Sequence, residues 1–194
     1  MKKICFIATA ILLLASCTKE RNYKLDEGLL DEMVTCADLN LSFRVPYGCV
    51  GFSEAGIEAY NQQLLQSDPM APIYRAIYID TMQYVRITLN DMRMIPYELT
   101  ENRLDFYKTE YNRSNIWDSV EKNIFKMGIW PKVVELIMSN ENETLMRYMF
   151  YNEEKAQFYI DYFLPTQILE GYRPYIESSL ASVDRHYEVI ITAE

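Results

Sequence analysis

From residue 53 onward, apolar side chains recur at spacings of three and four between residues that start and stop helices. That periodicity constrains the fold more than any other feature of the chain. Ser53 stands before Glu54 as an N-cap with an acidic first turn, ahead of the stripe Ile57, Tyr60 and Leu64. Asp68 and Pro69 supply a cap and a first helical position for a run carrying Tyr74, Ile77, Tyr78, Met82, Val85, Leu89 and Met92. A strand reading of 76–80 and 84–89 competes there, but no turn residues separate the two runs, so the helix is preferred. Leu104, Tyr107 and Tyr111 mark a further helix after Thr100. Ser114 caps the next, with Ile116, Trp117, Val120, Ile124 and Met127 in phase and Gly128 as its stop. Pro131 opens another with Val133, Val134, Ile137 and Met138. Asn140 and Glu143 then resemble a capping box ahead of Leu145, Met146, Met149 and Phe150. Asn152 caps an apolar helix over 153–164 that Pro165 ends, and Ile168, Tyr172, Ile176, Leu180 and Val183 carry the last.

Two stretches depart from this pattern. In residues 39–47, Leu39, Leu41, Phe43 and Val45 alternate on one face, which predicts a strand stopped by Pro46. The chain closes on the β-branched run Val189, Ile190, Ile191 and Thr192. The expectation is therefore a mainly α protein, an irregular multi-helix bundle, with a small two-stranded element pairing residues 39–45 with 187–192. The alternative for the C-terminus is a helix continuing into a frayed tail. Residues 36–194 are expected to form one helical domain and 17–35, mostly polar, a tether.

The first residues specify location. Met1-Lys2-Lys3 is a short basic start, and Ile4 to Ala15 is an uncharged, almost wholly apolar run. As a helix those twelve residues reach roughly 18 Å, short of the ~30 Å hydrocarbon core. The pattern is that of an export signal, residues 1–16. Leu14-Ala15-Ser16-Cys17 resembles the lipobox of bacterial lipoproteins. The resemblance implies cleavage before Cys17, diacylation of its thiol and a lasting membrane anchor. In that class an aspartate after the cysteine commonly signals inner-membrane retention. Thr18 stands there instead, so the resemblance implies the outer membrane, on its periplasmic or its cell-surface side.

Without residues 1–16, which contain Lys2 and Lys3 and no acidic residue, 17 basic residues face 28 acidic ones, a net charge of −11. That balance argues against nucleic acid as a partner and is compatible with a basic protein. Of the remaining cysteines, Cys36 and Cys49 are separated by twelve residues and would, in an oxidising compartment, form a disulfide; free buried thiols are the alternative.

No catalytic constellation emerges. His186, flanked by Asp184 and Glu188, is the only histidine, and it reads as an exposed side chain near a terminus. Glu54, Glu58, Glu153 and Glu154 sit where helix first turns favour acids. Neither a metal site nor a cofactor is expected, and the protein is read as no enzyme. Sixteen tyrosines are the unusual feature. Tyr148, Tyr151, Tyr159 and Tyr162, with Tyr172 and Tyr175, are the candidate binding surface, amphipathic anchors for protein or stacking platforms for glycan. Asp80-Thr81-Met82 and Asp118-Ser119-Val120 resemble an O-glycosylation sequon of exported proteins, making Thr81 and Ser119 candidate acceptors. The functional expectation is a lipid-anchored envelope protein acting by protein interaction, such as a subunit of an envelope or secretion assembly. An immunity protein against a periplasmic toxin and a glycan-binding surface lipoprotein are the alternatives.

Overall fold

The densest apolar runs among the described residues are strands. The computed structural model describes residues 19–69, 71–93, 116–152 and 155–185. Among them are ten strands: β1 Leu30–Cys36, β2 Leu41–Pro46, β3 Val50–Gly51, β4 Ile73–Asp80, β5 Val85–Asp91, β6 Ser119–Met127, β7 Trp130–Ser139, β8 Glu143–Asn152, β9 Lys155–Pro165 and β10 Asp184–Arg185. Two α-helices accompany them, α1 Glu54–Ser67 and α2 Leu169–Ala181. An antiparallel seven-stranded sheet runs in the order β3-β4-β5-β9-β8-β7-β6, and a three-stranded sheet in the order β1-β2-β10.

Period-two alternation sorts the large sheet into two buried faces. Along β9, Phe158, Ile160, Tyr162 and Leu164 enter one cluster while Tyr159 and Phe163 enter the other. Leu41, Phe43 and Val45 of β2 and Tyr172, Ile176 and Leu180 of α2 pack on the first face. Each such fully buried side chain contributes about 1.5–3 kcal/mol of transfer free energy. A buried relay joins the layers: the Tyr162 hydroxyl donates to Ser179 Oγ at 2.8 Å, which donates to the Arg44 carbonyl at 2.7 Å. Val134, Leu136, Met138 and Met149 form the second cluster with Met92 and Trp117.

The expected helical bundle is thus corrected to a mainly β fold, and the reason is physical. Strands buried on both faces read as near-continuous apolar runs, in which spacings of three and four occur incidentally. The punctuation was ambiguous too. Asn140, taken as a helix cap, closes the β7–β8 hairpin: its Oδ1 accepts from the backbone N–H of Asn142 and Glu143 at 2.9 and 2.8 Å. Gly128, taken as a helix stop, sits at φ 52° in the β6–β7 turn between the paired residues Met127 and Trp130. The β4–β5 turn contains neither glycine nor proline. Asp80 Oδ1 closes it by accepting from the N–H of Met82 and Gln83, with Tyr84 at φ 58°.

Helices do form where Ser53 caps α1 and where Tyr172, Ile176 and Leu180 stripe α2. Residues 39–47 do yield β2. Residues 187–192 lie outside the described residues, as does the helix expected around Leu104. On the side of β2 away from β1, Asp184–Arg185 pairs with Leu41 and Ser42. Within the stretch expected to be a tether, Leu30 to Thr35 belong to β1, and the backbone of Lys19 and Arg21 is bonded to Lys126 of β6.

The expected disulfide is also corrected: Cys36 and Cys49 are both free thiols. Cys36 lies opposite Leu41 at one end of the β1–β2 hairpin, and Cys49 lies in the turn beyond Pro46 at the other. Five residues of strand, roughly 17 Å at ~3.3 Å per residue, separate the two levels, whereas a bridge needs Cα atoms within about 7 Å.

Candidate functional site

β1 ends the three-stranded sheet, with β2 on its inner edge and, among the described residues, no strand on its outer edge. Along that outer edge run two open clefts of about 410 and 570 Å³ that share Val34 and together follow β1 from Asp31 to Cys36. The opposite wall is formed first by Val50, Gly51 and Tyr78 of β3 and β4, then by Tyr74, Arg75 and the first turns of α1. Met33 and Val50, both exposed, line the smaller cleft. Asn61 fixes α1 to the wall through a reciprocal pair with the Tyr74 backbone, both bonds 2.9 Å.

The groove is acidic. Among the described residues, Asp31, Glu32, Asp38, Glu54 and Glu58 line it, against Arg75 as the one basic lining residue. Arg75 is itself neutralised, Nη1 lying 2.9 Å from Asp38 and Nη2 2.9 Å from Asp91. Asp91 also accepts from Arg93 Nη2 at 2.8 Å. Burial alone would raise the Asp91 pKa, but the hydrogen bonds from Arg93 and Arg75 hold it below the usual carboxylate range. This network braces the end of the groove where Cys36 sits.

The thiols are unsuited to nucleophilic work. Burial raises Cys36 above its ordinary value, and burial pushes Cys49 up to about 11. Cys49 Sγ lies 3.9 Å from the Tyr172 hydroxyl, on a different element from any of the bases lining the groove. Among the described residues no group of three or more His, Cys, Asp or Glu side chains is placed to hold a metal ion. An unpaired strand edge between acidic walls is equipped to receive an extended, cationic segment.

The residues singled out from sequence are distributed differently. Tyr148, Tyr151, Tyr159, Tyr162 and Tyr172 are at most 5% exposed, core residues with no surface to offer, which corrects their assignment to a binding surface. Tyr175, half-buried, stacks on Tyr172 at 5.2 Å. Thr81, a candidate acceptor, is exposed at the β4–β5 turn. Ser119 is exposed at the start of β6, its Oγ 2.7 Å from that of Ser139. Glu54 and Glu58, read as first-turn acids, line the groove. Cys17, Glu153, Glu154, His186 and Glu188 lie outside the described residues, and Asp184 is exposed on β10.

Sequence reasoning passed over β1 because an edge strand with one open face is half polar. The signal available was Val34-Thr35, a β-branched pair within a stretch otherwise suited to a tether. It also passed over Glu135, a carboxylate only 2% exposed on β7. Glu135 accepts from Arg21 Nη1 and from Asn123 Nδ2, each at 2.8 Å, and from the hydroxyl of Tyr148.

No family model and no curated protein matches the chain. Among solved structures it is similar to cyanobacterial PsbP (CyanoP) from Synechocystis sp. PCC 6803, a solution structure, at 12% identity and a TM-score of 0.49, covering 79% of this chain and 91% of that one. At that score the likeness carries no functional argument. Among the described residues no helix is long and apolar enough to cross a membrane.

Proposed function

We propose that this is a lipid-anchored protein of the outer membrane that acts by non-catalytic protein interaction, as a subunit of an envelope or secretion assembly. Cys17 carries the anchor, and the acidic groove along β1 receives the partner. The observation that carries the reading is the outer edge of β1, unpaired among the described residues and facing acidic walls. Strand addition to such an edge draws affinity from main-chain hydrogen bonds and selectivity from the flanking side chains. Carboxylates on both walls select a segment rich in Lys or Arg. The same acidity suits a second reading, an immunity protein that neutralises a basic toxin, for which a neighbouring toxin gene is the discriminating observation.

The test places the photo-cross-linker p-benzoylphenylalanine at Met33 in living cells, with and without the charge reversals Glu32→Lys and Glu58→Lys. A stoichiometric partner joined through a basic, extended peptide and lost on charge reversal is the expected result. A partner recovered with chemical cross-linkers but never through Met33 would move the interface off the groove. Recovery of the protein alone in both experiments would overturn the interaction reading.

A further inference from the structure

The chain next to the anchor point is built into the domain. The Lys126 N–H donates to the Lys19 carbonyl and the Arg21 N–H to the Lys126 carbonyl, each at 2.9 Å, so that Glu20 lies parallel to β6. The Arg21 side chain locks this segment down, 2.8 Å from Glu135 and 4.2 Å above the Phe125 ring. One residue, Thr18, separates Cys17 from Lys19, two Cα steps with a reach of at most about 7 Å. An acyl chain on Cys17 therefore cannot leave the domain free to tumble above the bilayer; it brings one particular surface to the headgroups.

That surface is chemically distinct from the rest of an acidic molecule. On β6, Lys122, Ile124 and Lys126 alternate outward while Phe125 and Met127 point into the core. Ile124 is 47% exposed, and Ile129, in the turn that follows, is 51% exposed. Lys19, Lys122 and Lys126 outnumber the carboxylates beside them, Glu20 and Glu121. Lysines flanking exposed isoleucines are what a phospholipid surface selects: the lysines are drawn to an anionic leaflet, and the apolar side chains enter the headgroup boundary.

We propose that the lower half of β6 and the β6–β7 turn, with Lys122, Ile124, Lys126 and Ile129, lie against the membrane that holds Cys17. The inference rests on the lipid-anchored reading above. It places the β4–β5 turn, with exposed Met82 and Tyr84 at the other end of the sheet, away from the bilayer.

The experiment uses the full acylated chain in vesicles of phosphatidylethanolamine and phosphatidylglycerol. p-Benzoylphenylalanine is placed singly at Ile124, Ile129, Met82 or Tyr84, all exposed, and a labelled fatty acid reports acylation in each sample. Phospholipid adducts at 124 and 129, severalfold above those at 82 and 84, are expected. An acylated protein with equal yields at both ends, or with the larger yield at 82 and 84, overturns the orientation and leaves the anchor standing. Absence of the acyl label overturns the anchor, and with it the orientation.

Discussion

Arg21→Ala removes the cation that pairs with a buried carboxylate. The Glu135 side chain is 3% exposed, the Arg21 side chain 25%, and their closest atoms are 2.8 Å apart. Burial alone would lower the Arg21 pKa, yet the hydrogen bonds and charge of Glu135 hold it raised, so the pair is tightly matched. Stripping one member from a buried pair costs about 3–5 kcal/mol. Because a quarter of Arg21 is open to solvent, a loss of about 2–3 kcal/mol is expected. For a chain of 194 residues that lowers Tm by roughly 5–10 °C. The assay is urea and thermal unfolding of the Cys17→Ser protein, read by circular dichroism, with amide exchange at Arg21 and Lys126 followed in parallel. Exchange at those two amides should quicken, because the side chain holding Lys19–Tyr23 on β6 is gone. The double variant Arg21→Met with Glu135→Gln should recover part of the loss, since it leaves no buried charge unpaired and keeps an amide oxygen for Asn123 Nδ2. A loss below about 1 kcal/mol, the worth of an exposed ion pair, would refute the claim that this segment is part of the folded domain.

Other perturbations bear on the groove and the turns. Asp91 has a lowered pKa in the folded state, so its contribution is full above the ordinary aspartate value of 3.8 and is lost as pH falls through the depressed folded value. Asp91→Asn should therefore cost most near neutrality, and its deficit in urea unfolding should shrink below about pH 4; a deficit independent of pH would contradict the ion network. Unreduced protein, alkylated after unfolding, should gain two adducts at Cys36 and Cys49 by mass; in the native state Cys49, with its pKa raised from 9.0 to about 11, should react on the order of 100-fold more slowly than an ordinary thiol. Gly128→Ala forces a Cβ into φ 52° and should cost about 1 kcal/mol in denaturant unfolding. Tyr162→Phe leaves Ser179 Oγ its bond to the Arg44 carbonyl but deletes the 2.8 Å bond from the tyrosine, for an expected loss of about 1 kcal/mol.

Local chemistry was legible wherever one residue acts on its own neighbours. Ser53 caps α1, Pro46 ends β2, and the alternation of Leu41, Phe43 and Val45 marks a strand, although Leu39, expected in it, ends a 3-10 turn, because capping, ring closure and period two are decided within a few residues. Charge was legible too: an acidic chain lines its groove with carboxylates. The choice between helix and strand for residues 73–91 and 119–165 was not legible. An Asn that closes a hairpin and an Asn that caps a helix accept the same backbone N–H bonds, and a run buried on both sides satisfies either period. Only the tertiary structure, by stacking the β2 hairpin and α2 on the large sheet, decided that those runs pair edge to edge and that the tyrosines fill the core. It alone set Cys36 and Cys49 at opposite ends of a hairpin, joined Arg21 to Glu135 across 114 positions of sequence, and left β1 with an edge unpaired among the described residues. Contacts between distant residues depend on how whole elements pack, and no local window of sequence carries that information.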